Sequence, residues 1–133
     1  MTVKTQSFGA GHFMISEAAG HRSREQITIA AGEVLKAGSV LSKNSVTGNY
    51  VGYDNDDTTT EDDAAAILWD DVDATGGTKQ AAAIVRDAEV NGDELIFGDT
   101  EDTGDREAAV ADLLAVGIIC RFENRGEPFN TNE

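Results

Sequence analysis

Apolar and polar residues alternate from Gln26 to Ile29, with Ile27 and Ile29 apolar and Thr28 between them. The chain then turns at Ala31-Gly32, runs apolar through Val34 and Leu35, turns again near Gly38 and resumes at Val40 and Leu41. A period of two interrupted by glycine predicts short strands joined by tight turns. Thr47-Gly48-Asn49 reads as another turn, followed by a strand from Tyr50 to Tyr53. The runs "AAAILWD" and "QAAAIVRD" share a texture of small and then aliphatic residues. That texture predicts two buried strands paired in one sheet, the first ending at Trp69, with Gly76-Gly77 at the tip of their connection. Leu95 to Phe97 reads as a further short strand. In "DTGDREAAVADLLAVG" the period changes: Ala109, Leu113 and Val116 recur at helical spacing. A helix is expected over about 105–116, capped by Thr103 or Asp105 and ended by Gly117 in the left-handed conformation. "IICRF" returns as a last strand.

Residues 1–22 show no sustained period and are broken by Gly9, Gly11 and Gly20. They read as a flexible arm. The predicted organisation is an arm over residues 1–25, a β-rich domain over 26–123 and a polar tail over 124–133 that holds Pro128, the only proline. The predicted fold class is α+β, predominantly β, with one convincing helix.

Composition narrows the interior. Apolar residues are 40% of the 133 but aromatics only 6%, so alanine and the aliphatic residues must fill most of one core. No run of about 18 apolar residues is present to span a membrane. The first twenty residues lack the apolar core of a signal peptide, and synthesis and folding in a cytoplasm are expected. Cys120 is the single cysteine and lies among apolar neighbours, which predicts a buried, inert thiol.

Charge excludes more than it suggests. Twenty-five acidic residues against ten basic give −15, which disfavours nucleic acid and anionic membranes as partners. The charge is uneven: residues 1–26 hold Lys4, Arg22 and Arg24 against Glu17 and Glu25, a net +1, and the remainder holds −16. A nearly neutral arm can lie on another surface while the acidic body stays solvated. The densest stretch, Asp54 to Asp63, has no apolar residue and reads as a solvated loop.

Chemistry is sparse. His12 and His21 both fall in the arm, where a general base lacks fixed geometry. No nucleophile elbow or phosphate-binding glycine loop is present, and the cysteine and histidines lack zinc-ligand spacing. Asp54, Asp56, Asp57 and Glu61 could offer oxygen ligands to calcium, but the glycine of an EF-hand loop is missing. Trp69, Tyr50 and Tyr53 read as core or interface. "GEVLKAGSVL" superficially resembles the hairpin of a biotinyl or lipoyl carrier, yet Lys36 lacks the neighbouring methionine or aspartate. The reading is a non-enzyme with no cofactor and no metal; the alternative is a small acidic β-rich binding or carrier module.

Several blocks in order carry a family likeness: "FMISEAAGHRSREQITIAAGEVLKAGSVL", "TGNYVGYD", "AAAILWDDVDAT", "QAAAIVRDAEVNGDEL" and "LLAVGIICR". Across roughly residues 13–121 the chain resembles the lambda-type phage head decoration proteins. The resemblance implies a non-enzymatic capsid protein whose partners are the major capsid protein and itself, as a homotrimer. It implies a place on the outer surface of the expanded head, at three-fold and quasi-three-fold sites, clamping capsid subunits against the pressure of packaged DNA. The acidic segments 54–63 and 99–105 and the tail depart from the family pattern.

On this reading the capsid contact is expected along Phe13, Ile15, Ser16, Glu17, Arg22, Ser23, Arg24 and Glu25. Phe13 and Ile15 would be apolar anchors. Arg22 and Arg24 would meet carboxylates, and Glu17 and Glu25 basic groups. An arm of this kind docks by adding a strand to an exposed sheet edge. The junction between arm and body is expected at Arg24–Gln26.

Overall fold

A computed structural model describes residues 10–18, 20, 22–53, 63–97, 103–122 and 127–128. Five strands close into a barrel in the order β2-β5-β4-β6-β8. They are β2 (Arg24–Ile29), β4 (Val40–Lys43), β5 (Tyr50–Gly52), β6 (Ala64–Leu68) and β8 (Lys79–Ile84). β2 pairs antiparallel with β8 from Arg24↔Ile84 to Ile29↔Lys79. β8 pairs with β6 through Ile67↔Ile84 and Leu68↔Ala83, the partnership expected from the shared texture of the two runs. The barrel closes between β2 and β5, where Ile29 lies beside Tyr50 in parallel register and the Ala30 N–H donates to the Tyr50 carbonyl at 2.9 Å.

A second sheet has the order β1-β9-β10-β11, with β1 (Met14–Glu17), β9 (Ala88–Asn91), β10 (Ile118–Phe122) and β11 (Glu127–Pro128). β9 and β10 run parallel, and parallel neighbours need a crossover. Helix α1 (Thr103–Ala115) lies on that crossover and packs on β10 and β6. A small ribbon pairs β3 (Val34–Leu35) with β7 (Val72–Asp73).

Residue choice follows from which faces are covered. Ile27, Ile29, Leu41, Leu68, Ala66 and Ala83 point into the barrel. A five-stranded barrel has little internal room, and small side chains let it close. Val40, Ile67 and Ile84 occupy the opposite faces of β4, β6 and β8 and join a second core with Phe13, Val90, Leu113, Ile118 and Phe122. β4 and β6, and β8 at its Ala83–Ile84 end, are therefore apolar on both faces, which is why "AAAIL" and "AAAI" read as continuous apolar runs.

Local punctuation agrees with the sequence at the helix end. Gly117 adopts φ +89°, and an added Cβ there would stand 2.7 Å from an Asp87 carboxylate oxygen. A side chain would thus be strained and crowded at this turn. Other features differ. Helix α1 begins at Thr103 and ends at Ala115; Val116 lies beyond it, 40% exposed, while Ala109 and Leu113 are buried. The cap side chains expected at Thr103 and Asp105 fall outside the described residues. Leu95–Phe97 forms no ladder: a 3-10 turn, Gly92–Glu94, precedes a single bridge from Ile96 to Ser39. Glu127–Pro128, read as tail, pairs with β10. Residues 13–17, read as arm, form β1 and part of the core. The acidic loop lies outside the described residues except for exposed Asp63.

Cys120 is 2% exposed, and burial pushes its thiol from an ordinary 9.0 up to about 12. The folded state holds this proton longer than the unfolded chain does. Stability from this group is therefore complete below pH 9 and is lost as pH rises toward 12. At pH 8 maleimide should leave the native thiol unmodified and label it fully in denaturant. The stability difference between wild type and Cys120→Ala, from urea unfolding, should shrink above pH 9. Rapid native labelling at pH 8 contradicts the assignment.

Candidate functional site

The junction from Gly11 to Glu25 is built around the only tryptophan. Gly11 adopts φ +67°, and a Cβ at this position would overlap the Trp69 six-membered ring. Its N–H donates to the Trp69 carbonyl at 2.9 Å, and the Met14 N–H donates to the Gly11 carbonyl at 3.0 Å, which makes a turn. The turn carries Phe13 inward, where it is fully buried. The Phe13 ring meets Trp69 edge-on at 6.1 Å and His12 at 5.5 Å. His12 Nε2 lies 3.4 Å from a Glu94 carboxylate oxygen, so this histidine is fixed rather than loose in an arm. His21 lies outside the described residues.

From Met14 the chain runs antiparallel to β9, with a register shift between Met14 and Ser16. β1 has a neighbour on one side only among the described residues. Ile15, 48% exposed, and Ser16 project at this edge. Glu17 turns back toward the body. It accepts Arg24 Nε at 3.1 Å and Nη2 at 2.6 Å, one on each carboxylate oxygen, and also the Ser23 hydroxyl. The Arg24 guanidinium carbon sits 3.9 Å from the Trp69 ring centroid. The hydrogen bonds that Arg24 donates to Glu17 raise its pKa further, so its charge is permanent at any working pH.

Flanking pairs are looser. Arg22 lies 3.6 Å from Asp87, and both are exposed. Arg86 pairs with Glu25 and donates to the Arg22 carbonyl at 2.6 Å. The Val85 N–H donates to the Ser23 carbonyl at 2.8 Å, and Ser23 itself is fully buried. Burial first, then the Glu25 carboxylate, pushes the Tyr50 phenol above its usual range.

The eight junction residues thus fall into three groups. Glu17, Ser23 and Arg24 meet in one clasp. Phe13 anchors the core. Ile15, Ser16, Arg22 and Glu25 lie at the surface, the last two paired with Asp87 and Arg86. Trp69, Asp87 and Arg86 were not foreseen as parts of this site. A lone tryptophan at the end of an apolar strand was their only sequence signal. Among the described residues no group of His, Cys, Asp and Glu is arranged to hold a metal ion.

A profile for bacteriophage lambda head decoration protein D matches residues 3–118. The chain belongs to the lambda head decoration protein D family. No individual curated protein matches the chain. Head decoration proteins are structural and non-enzymatic, so the chain's role is capsid decoration and its place is the phage capsid. The clasp ties β1 to β2 of the barrel.

Magnitudes separate the clasp from its neighbours. The Arg22–Asp87 pair is exposed and contributes little, about 0–1 kcal/mol. Arg24 and Glu17 are 31% and 22% exposed, hydrogen-bonded as a fork and stacked on an indole. Removing one partner leaves the other half-buried and unmatched. After discounting for partial solvent screening, Arg24→Ala should cost about 1–3 kcal/mol in urea unfolding. Arg24→Lys should recover less than half, since an ammonium cannot fork the carboxylate and stack at once. Arg22→Ala should stay within about 0.5 kcal/mol of wild type. Equal effects at positions 22 and 24 would remove the clasp's special standing.

Proposed function

We propose that this chain is a cement protein that binds as a homotrimer to the outer surface of the expanded head. It sits at three-fold and quasi-three-fold sites and stabilises the shell against the pressure of packaged DNA after synthesis in the host cytoplasm. The family match over residues 3–118 is the observation that carries this reading. The docking mode is supported by the open edge of β1. A closed barrel offers no edge, whereas β1, with exposed Ile15, has a strand neighbour on one side only among the described residues.

A capsid segment adds to β1 through backbone hydrogen bonds, and alternate side chains set its register. Ile15 and Ser16 make direct contact. Arg22 and Glu25 exchange their surface partners Asp87 and Arg86 for capsid groups. Phe13, Ser23, Glu17 and Arg24 act behind the edge by holding it in place. Three edges on one trimer bind by avidity, which raises affinity by on the order of a hundredfold or more. A three-fold body also matches a three-fold site by closed symmetry.

Deleting residues 2–22 would remove Phe13 and β1 and so confuse folding with docking. Ile15→Asp is the cleaner probe, because the side chain is half exposed. Wild type should bind expanded empty heads and raise their disruption temperature. Ile15→Asp should keep its unfolding midpoint within a few degrees and lose about tenfold or more in head affinity. Absence of wild-type binding to expanded heads overturns the decoration reading; full binding by Ile15→Asp overturns the edge mode. The −15 charge per chain makes a trimer self-repelling, so sedimentation should show more trimer at high salt than at low.

A further inference from the structure

Asn91–Gly92 is the only asparagine–glycine step in the chain. Such a step deamidates more readily than other asparagine steps, because glycine carries no side chain to keep its backbone nitrogen from the asparagine amide. Here the step ends β9 and opens the 3-10 turn Gly92–Glu94. The glycine is required by packing. A Cβ on Gly92 would stand 2.4 Å from Phe122 Cε1, and Phe122 is itself buried, with no room to move aside. The fold thus demands at position 92 the residue that makes this bond labile.

The same surroundings restrain the reaction. Asn91 is extended, with φ −83° and ψ 104°, and its side-chain oxygen caps the turn by accepting the Asp93 N–H at 3.0 Å. The Asn91 N–H donates to the Phe13 carbonyl at 2.8 Å, and the Leu95 N–H donates to the Gly92 carbonyl at 3.3 Å. Arg121 of β10 lies beside Asn91 in parallel register. Deamidation needs the Gly92 nitrogen to swing onto the Asn91 Cγ. That swing rotates the peptide under Phe122 and breaks the cap, so the turn must open before the chemistry begins.

We propose that Asn91 is a covalent modification site of this chain, gated by local opening of the 3-10 turn beneath Phe122. In the open turn a solvent base takes the Gly92 amide proton, and the nitrogen attacks Asn91 Cγ. The N–Cγ bond forms, the Cγ–Nδ2 bond breaks and ammonia leaves. Water then opens the cyclic imide at either carbonyl. Opening at Cγ gives aspartate, which keeps the backbone length and an oxygen able to cap the Asp93 N–H. Opening at the backbone carbonyl gives isoaspartate, which routes the chain through Cγ and lengthens it by one methylene. The longer link cannot hold the Asn91 N–H on Phe13 and keep Gly92 under Phe122 together. Damage therefore comes from backbone length, not from the added charge. Phe13 immediately precedes β1, so isoaspartate at position 91 loosens the root of that strand.

The test is ageing of the full chain in warm, mildly alkaline buffer, with and without guanidinium chloride. Peptide mapping by mass spectrometry reads amide-to-acid conversion at each asparagine, and an isoaspartyl methyltransferase reads the lengthened product. Asn91 should convert about tenfold or more slowly in the folded chain than in denaturant. Phe122→Leu, which thins the cover over Gly92, should speed conversion in buffer alone. The separated isoaspartyl form should unfold at a lower midpoint, whereas Asn91→Asp should stay within a few degrees of wild type. Equal rates with and without denaturant overturn the gating, and this comparison decides alone if Phe122→Leu does not fold. Asn91 left intact in denaturant while other asparagines convert overturns the site. An Asn91→Asp variant as unstable as the isoaspartyl form overturns the role of backbone length.

Discussion

Everything in this fold leans on a wall that is buried on both sides. β4, β6 and β8 send Leu41, Leu68 and Ala83 into the barrel and Val40, Ile67 and Ile84 into the second core. The barrel and the outer sheet are therefore not two modules in contact but two faces of one set of strands. Removing a methyl group from either face is felt on the other, because close-packed interiors transmit strain. The wall also explains why a chain with 6% aromatic residues holds together. Alanine lets the barrel close tightly, and the few large side chains are spent on the seam between wall, sheet and helix.

Acidity shapes the rest. A net charge of −15 keeps the body solvated and penalises contact between copies. Where the chain must bring elements together, it does so through fully used cations. Arg24 is the clearest case: it forks Glu17, covers Trp69 and so links β1, β2 and the end of β6 in one contact. The junction is consequently close to neutral and stiff, whereas exposed pairs such as Arg22–Asp87 can be exchanged at little cost.

What the sequence showed, and what it hid, divides by contact range. β2 and α1 were readable from their own periodicity, and β6, β8 and β10 from short apolar runs. The pairing of β6 with β8 was readable because both end in apolar residues buried on two faces and so share a texture. β1 was not. "MISE" is too short to establish a period, and its partner β9 is remote in sequence. Its order comes from Gly11 fitting under Trp69 and from Phe13 filling the core, and neither is a local signal. Glycine at position 11 looked like a breaker of structure. It is instead the residue that lets the chain approach the indole closely enough to fold. The junction was found as a stretch, but the inward roles of Phe13 and Ser23 follow only from tertiary packing.

In the docking mode proposed above, these parts form one path for mechanical load. A segment held on the β1 edge pulls against backbone hydrogen bonds to β9 on one flank. Without the clasp, that pull could peel a four-residue strand from the sheet one bond at a time. With Glu17 tied to Arg24, and Arg24 lying on Trp69, the end of β1 is anchored to β2 and to the strand end of the shared wall. Phe13 pins its other end in the core. The short strand is thus fixed at both ends, so force on it becomes shear on the whole ladder rather than peeling. Shear must break the bonds together, which suits so small an edge to the docking mode proposed above.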